Sequence, residues 1–478
     1  MRRSILAVLA ACCLLLGCAS QEGAPVEMIS GSHVLELSPS SSEESPYVPE
    51  FPPAVESSAA QPDSSSQEVA SSSSQEAAPS AAEPSSGESS SQEESSSASQ
   101  SSSADSSSEA PPPAAPVSLD ESKGVWLSYL EFDTMLKGKS ESAFRSAIAD
   151  AFDAIAAEGL NTVIVQVRPF GDALYRSEIF PWSYLCTGTE GVDPGFDPLA
   201  IMVEAAHSRG LLLEAWVNPY RVRSSGSTVA LSEDNPAAVW LEEGSDAVIS
   251  FDGAISYNPG SAEARQLIVD GVREIVRNYD VDAIHFDDYF YPTTSASFDQ
   301  ETYQEQGGGL SLGDWRRENV NKLVRAVYAA VKEEDPSVLF GISPQGNNTI
   351  NYDSQYIDVA KWVSTSGYID YICPQIYFGF EHDTRPFQET LESWNEMISS
   401  SSVALRVGIG AYKVGTADTW AGGGASEWID NSDLLARMVE AGREMSHYGG
   451  FALYRYDFLF SSPSGQMEEE LANLADIL

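Results

Sequence analysis

TVIVQVRP, residues 162–169, is an apolar run too short for a helix and too uniformly apolar for a strand with one wet face. A run rich in valine and isoleucine rather than alternating with polar residues marks a parallel strand covered by helices on its outer side. Seven further runs share this character: GVWLSY at 124–129, LLLEAWVNP at 211–219, AIHFDDYFY at 283–291, LFGISPQG at 339–346, YICPQIYF at 371–378, RVGIGAYK at 406–413 and GFALYRYD at 450–457. Each is followed by a stretch with helical spacing. Eight βα units in sequence predict an α/β chain folded as a TIM (β/α)8 barrel, and in such barrels the reacting groups stand at the carboxyl ends of the strands.

The helices between the runs carry their own start and stop signals. SESAFRSAIADAFDAIAAEGLN has Ser140 or Ser142 as N-cap and Gly159 as stop. DPLAIMVEAAHSRG starts with Asp197 as cap and Pro198 at the first helical position, and ends at Gly210. Long connections follow the second, third and fourth runs, at 170–196, about 219–260 and 292–311, while links back to strands are short. This places irregular, ligand-ready chain on one face. Its rings, Trp182, Tyr184, Trp240, Tyr257, Tyr291, Tyr303 and Trp428, suit a wall for sugar faces as a cluster, though each alone reads equally as local core.

The chain ahead of the barrel has a different composition. Residues 1–18, MRRSILAVLAACCLLLGC, combine Arg2 and Arg3 with a short apolar core, which reads as a secretory signal too short to span a membrane. Its ending resembles a bacterial lipobox, and the resemblance implies lipidation of Cys18 and a chain anchored on the outer face of the cytoplasmic membrane. Residues 19–117 are mostly Ser, Glu, Ala, Pro and Gln, with no Lys or Arg between Arg3 and Lys123. Such a segment predicts a disordered acidic linker. The domain expectation is therefore signal at 1–18, linker at 19–117 and barrel at 118–478.

Net charge is −45, which disfavours nucleic acid and anionic membrane surfaces as partners and suits a neutral glycan better. Cys12, Cys13 and Cys18 fall in the signal, leaving Cys186 and Cys373 in the body. No HExxH, CxxC pair or EF-hand spacing occurs, so no metal and no cofactor is expected.

From Lys123 to Tyr456 the chain resembles the glycosyl hydrolase-like 10 family of bacterial barrel proteins. The resemblance runs through GVWLSYLEFD, QVRPFGDALYRSEIFPWS, EAWVNPYR, NPGSAEARQLIVDGVREIV, DAIHFDDYFYP, WRRENVNKLV, GISPQG and YICPQIYF. It implies a barrel related to glycoside hydrolases, with activity on cell-wall glycan strands in some members. The chain departs from relatives at Glu214, where they often carry histidine before AW, so no role passes to Glu214 by analogy.

Glycosidic bond hydrolysis commonly uses two carboxyl groups, one donating a proton and one serving as nucleophile or base. Alternation along DAIHFDDYFYP sends His285, Asp287 and Tyr289 into the barrel and Ile284, Phe286 and Asp288 to the other side. Asp287 is then the leading catalytic carboxylate, with Asp288 at the rim as its partner or as an acceptor for sugar hydroxyls. Asp172 is a candidate second carboxylate, alongside a plain turn role in its Gly-Asp dipeptide, and Asp353, Glu381, Asp383 and Asp457 are alternatives. Arg168 is expected to fork onto Asp287 or a substrate carboxylate. Asn218, Arg221, Tyr291, Gln375, Tyr377 and Tyr412 are expected to line the substrate, with a buried network as the other reading of Arg168 and Asn218. Trp126 reads as core or pocket floor. The functional expectation is a hydrolase of a cell-wall polysaccharide, peptidoglycan glycan above all; the alternative is a barrel that grips glycan without cutting it.

Overall fold

The computed structural model describes residues 121–478, so the expected signal, the lipidation site Cys18 and the whole of the expected linker lie outside the described residues. Among the described residues there are eleven strands: β1 Ser122–Leu127, β2 Thr162–Arg168, β3 Leu212–Val217, β4 Arg221–Arg223, β5 Val248–Phe251, β6 Ala254–Tyr257, β7 Ala283–Phe286, β8 Leu339–Ile342, β9 Tyr371–Ile372, β10 Ala404–Ile409 and β11 Tyr448–Leu453. Eight of them close a barrel in the order β1-β2-β3-β7-β8-β9-β10-β11, every neighbouring pair parallel. All eight apolar runs supply one barrel strand each, in chain order.

Helix starts follow local chemistry. Ser140 caps Glu141–Ala157 by accepting the Ala143 N–H, and Gly159 takes a positive φ of 77° just past its end. Asp197 caps Pro198–His207 through the Ala200 N–H, with Pro198 in the first turn. Ala262–Asn278 and Leu312–Glu334 set apolar faces against the barrel wall through Ile268, Val272, Ile275, Leu323, Val324 and Val327. Each such side chain contributes about 1.5–3 kcal/mol when taken from water.

The apolar residues divide between two shells. On β2, Val163, Val165 and Val167 join the large core between strands and helices, while Ile164 points inward to a small cluster with Trp126, Trp216, Ala283, Tyr371, Cys373 and Ala452. Alternation within β2 thus sorts one strand onto two cores. Cys186 and Cys373 are both buried free thiols.

One element was not anticipated. The long connection after β3 carries a three-stranded antiparallel sheet in the order β4-β6-β5. Its hairpin turns at Asp252-Gly253, where both residues adopt positive φ, 48° and 78°. Several rings read as a sugar-facing wall are interior: Trp240, Tyr257, Tyr291 and Trp428 are all buried. Trp240 packs edge-on against Tyr257, and Tyr291 against Tyr356.

Candidate active site at the mouth of the barrel

Inside the barrel lies a polar floor. Glu214 on β3 forms an ion pair with Arg406 on β10, both buried. Tyr371 Oη donates to Glu214 Oε2 at 2.7 Å and lies 2.8 Å from His285 Nδ1. On the other ring nitrogen, Trp126 Nε1 donates to His285 Nε2 at 3.3 Å, and Ser343 Oγ lies 3.0 Å away. An indole N–H can only donate, so Nε2 accepts and the proton sits on Nδ1. Burial drives the His285 pKa down to about 4, so the ring is neutral at pH 7. Gly341, opposite His285 in β8, permits this packing: any side chain there would collide with the Tyr371 ring.

Above this floor, β7 ends at Phe286 and frees Asp287 and Asp288 from strand alternation. Asp287 remains buried against Trp216, and its Oδ1 accepts the Tyr289 N–H at 3.0 Å. Its Oδ2 is buried with no hydrogen-bond partner. Burial first, and the neighbouring Asp288 second, push the Asp287 carboxyl up to about 7, with Arg221 opposing. A carboxyl placed this way keeps its proton near neutrality and can donate it.

Asp288 does not turn outward to the helices, as extended alternation would require. Its Oδ2 accepts from Gln345 Nε2 at 3.1 Å and Gln355 Nε2 at 3.2 Å, and its Oδ1 takes a longer 3.4 Å contact from Gln375 Nε2. Burial raises its pKa, and these amides pull the other way. Gln345 and Gln375 follow β8 and β9, so three consecutive strand ends converge on the pair. Gln375 also donates to the Ser343 carbonyl at 3.0 Å, which ties the pair to the floor.

The rim is aromatic, and Arg221 lies near the acidic pair. Arg221 Nε donates to the Pro169 carbonyl at 3.0 Å, and its guanidinium lies over Phe170 at 4.8 Å and Tyr289 at 4.7 Å. Tyr377 stacks on Tyr454 at 5.8 Å, and Tyr412 closes edge-on against both. Trp420, in the loop after β10, is 73% exposed.

Among the residues singled out from the sequence, the structure brings Asp287, Asp288, Arg221, Gln375, Tyr377 and Tyr412 to one mouth. Asn218 sits at the β3 end, buried, accepting from Gln166 Nε2 at 2.8 Å, with its own amide nitrogen unpartnered. Arg168, Asp172 and Tyr291 stand elsewhere. The expected fork from Arg168 to Asp287 is not formed. A register shift between Gln166 and Arg168 turns the guanidinium onto the Phe180 ring at 4.5 Å, and its terminal nitrogens find no hydrogen-bond partner. Asp172 is buried 3.5 Å from Arg223, which also pairs with Glu190, and it accepts the Tyr184 N–H at 3.4 Å. Tyr291 packs with Phe298, Tyr356 and Arg316. Sequence reasoning missed Gln345, Gln355, Trp216, Tyr454 and Trp420. Gln345 was open to the strand-end rule, because it closes a quoted run, whereas Gln355 carries no local signal.

A family model described as glycosyl hydrolase-like 10 matches residues 121–422. The chain is 38% identical over 317 residues to the protein named glycosyl hydrolase YngK of Bacillus subtilis (strain 168), covering 62% of this chain and 61% of that one. It therefore spans about three fifths of that relative's length. It is 34% identical over 340 residues to glycosyl hydrolase DigH of Escherichia coli (strain K12), covering 66% of this chain and 76% of that protein. Among solved structures, the PgaB (BpsB) glycoside hydrolase domain of Bordetella bronchiseptica superposes with a TM-score of 0.49 at 11% identity, over 74% of this chain and 99% of that one.

Proposed function

Because the chain belongs to the glycosyl hydrolase-like 10 family, we propose that it cleaves glycosidic bonds of a cell-wall polysaccharide, peptidoglycan glycan strands above all. The observation that carries this reading is the Asp287–Asp288 pair. One carboxyl has a free buried oxygen and a pKa near 7, and the other is held by glutamine amides at the mouth. Asp287 acts as the general acid on the leaving oxygen. The glutamine amides favour the ionised form of Asp288 against the upward push of burial, and in that form it offsets positive charge developing at the sugar. Arg221 holds Asp287 in place electrostatically, while Gln375 fixes Asp288. The Tyr377–Tyr454–Tyr412 cluster and exposed Trp420 offer ring faces to sugars.

The address belongs to the same proposal. The composition of residues 1–18, ending at Cys18, supports a lipid-anchored protein on the outer face of the cytoplasmic membrane, where glycan strands are in reach. The test is incubation of the soluble protein with purified glycan strands, with and without stem peptides, and mass analysis of the soluble products. Defined glycan fragments are expected from the protein and none from Asp287→Asn. Saturable binding without product would identify a gripping barrel and end the hydrolase assignment.

A further inference from the structure

We propose that the substrate is a polymer of 2-acetamido sugars and that its own acetamido oxygen is the nucleophile, with Asp287 carrying the proton and Asp288 holding the acetamido N–H. The proposal rests on the hydrolase reading above. Three observations lead to it.

Asp287 and Asp288 are consecutive residues, with Cα atoms about 3.8 Å apart, and both rise from the end of one strand. Hydrolysis by two enzyme carboxylates places them on opposite faces of the scissile bond, about 5–5.5 Å apart for retention and about 6.5–9.5 Å for inversion. Neighbours on a single strand end approach the sugar from one side. Asp288 is also fixed: Gln345, Gln355 and Gln375 all donate to it, so it suits a stationary acceptor better than an attacking group. Its Oδ1, with only the 3.4 Å contact from a side-chain donor, is the atom left to receive a substrate N–H. Finally, other buried carboxylates are already spent. Glu131 pairs with Arg455, Glu214 with Arg406, Asp172 and Glu190 with Arg223, and Asp299 with Arg316. Glu427 accepts the Phe380 and Glu381 N–H groups.

The chemistry closes without further reagents. The acetamido carbonyl oxygen bonds to C1 as the C1–O bond to the leaving sugar breaks, and Asp287 gives its proton to the leaving oxygen. The resulting oxazolinium ring keeps its N–H on Asp288. Water then bonds to C1, its proton passes to the Asp287 carboxylate, and the ring C1–O bond breaks to restore the acetamido group. The product retains its anomeric configuration, and Asp287 is again an acid.

The discriminating substrate pair is one batch of glycan strands, de-N-acetylated and then re-acylated with either acetyl or trifluoroacetyl groups. Fluorine withdraws electron density from the attacking oxygen and leaves the polymer otherwise alike. Initial rates of reducing-end release should fall about a hundredfold or more on trifluoroacetyl strands, in kcat rather than KM, because an intramolecular nucleophile supplies a large share of the acceleration. A 2-methylthiazoline derived from N-acetylglucosamine should inhibit competitively, and Asp288→Asn should weaken that inhibition while circular dichroism confirms its fold. Equal cutting of both polymers, or covalent labelling of an aspartate by a 2-fluoro glycoside, overturns acetamido participation and leaves the hydrolase intact. Release from neither polymer overturns both.

Discussion

Two buried acidic regions of this barrel are treated in opposite ways. Beside β2 and β4, Asp172 and Glu190 share Arg223, which is itself buried. At the end of β7, Asp287 and Asp288 are equally buried, yet no ion pair among the described residues holds them: glutamine amides, backbone N–H groups, the Trp216 indole and the nearby Arg221 oppose their repulsion. Burying a carboxylate is expensive, and pairing it with arginine is the usual remedy. Burial raises the proton affinity of Asp172 as well, with Arg223 opposing it; Asp287 and Asp288 are raised without any such ion pair, and for Asp287 the rise reaches about 7, the condition for acid catalysis near neutrality. The difference separates carboxylates that hold the fold from carboxylates available for chemistry, although all of them sit near strand ends.

The strongest way to break this comparison is to neutralise one member of each region. Asp287→Asn should lower the rate of glycan release by about 10³-fold, within the range expected for a positioned general acid, while leaving the fold in place. Its stability should change with a defined sign. The Asp287 carboxyl rises from its ordinary 3.8 to about 7 in the folded chain. The folded state therefore favours the protonated form, and that contribution is lost as pH rises through 7. Asp287→Asn should match the parent only below the ordinary carboxyl pKa of 3.8, pull ahead of it as pH rises from there to about 7, and exceed it by a constant margin in denaturant midpoint at pH 8. A variant less stable at pH 8 would place Asp287 among the structural acids.

In the other region, Arg223→Met strands Asp172 and Glu190 without their cation. It should cost about 3–5 kcal/mol of unfolding free energy, read from denaturant titration, while glycan release per folded molecule stays within a factor of about three. Removing Glu190 as well, in Arg223→Met/Glu190→Leu, should recover part of the loss. A large loss of activity in the folded single variant would bring Asp172 back as a catalytic candidate.

How far these regions were legible in the sequence depends on the distance over which their signals act. The barrel was legible because each strand run and each helix cap is a local pattern; Ser140, Asp197 and Pro198 perform as their residue types dictate. Asp287 was legible for the same reason, through one strand and one placement rule. The side sheet was missed although Asp252-Gly253 is a hairpin signal, because its strands are only three or four residues long. Arg168 was misplaced because a register shift in β2 depends on pairing with β3, which no local pattern encodes. Gln355 reaches Asp288 from beyond a short helix, a contact that exists only after folding.

The pH profile sharpens the comparison further. An essential protonated acid with a pKa near 7 predicts that kcat/KM falls about tenfold per unit on the alkaline side of neutrality. An acid limb follows from Asp288, which must ionise and whose pKa is also raised. The two limbs report the pair rather than either residue alone. Gln355→Leu removes one amide donor from Asp288 and should move the acid limb upward, leaving the alkaline limb nearly in place. A profile flat to pH 9 would remove Asp287 from the role of acid.

The smallest effect concerns Trp420. It lies in a loop after β10 and is largely exposed, so its ring does not fill the core, and under the proposed function it meets sugar. Trp420→Ala should raise KM for long strands about fivefold, the scale of one ring contact of about 1 kcal/mol, with kcat and thermal midpoint unchanged. Trp428, eight positions on, is its internal control, because its ring is buried in the core. Trp428→Ala should lose about 3–5 kcal/mol of stability and leave the KM of the folded fraction alone. If both substitutions changed stability and neither changed KM, sugar would be held by the tyrosine cluster around Tyr377, and the rim loop would serve the fold.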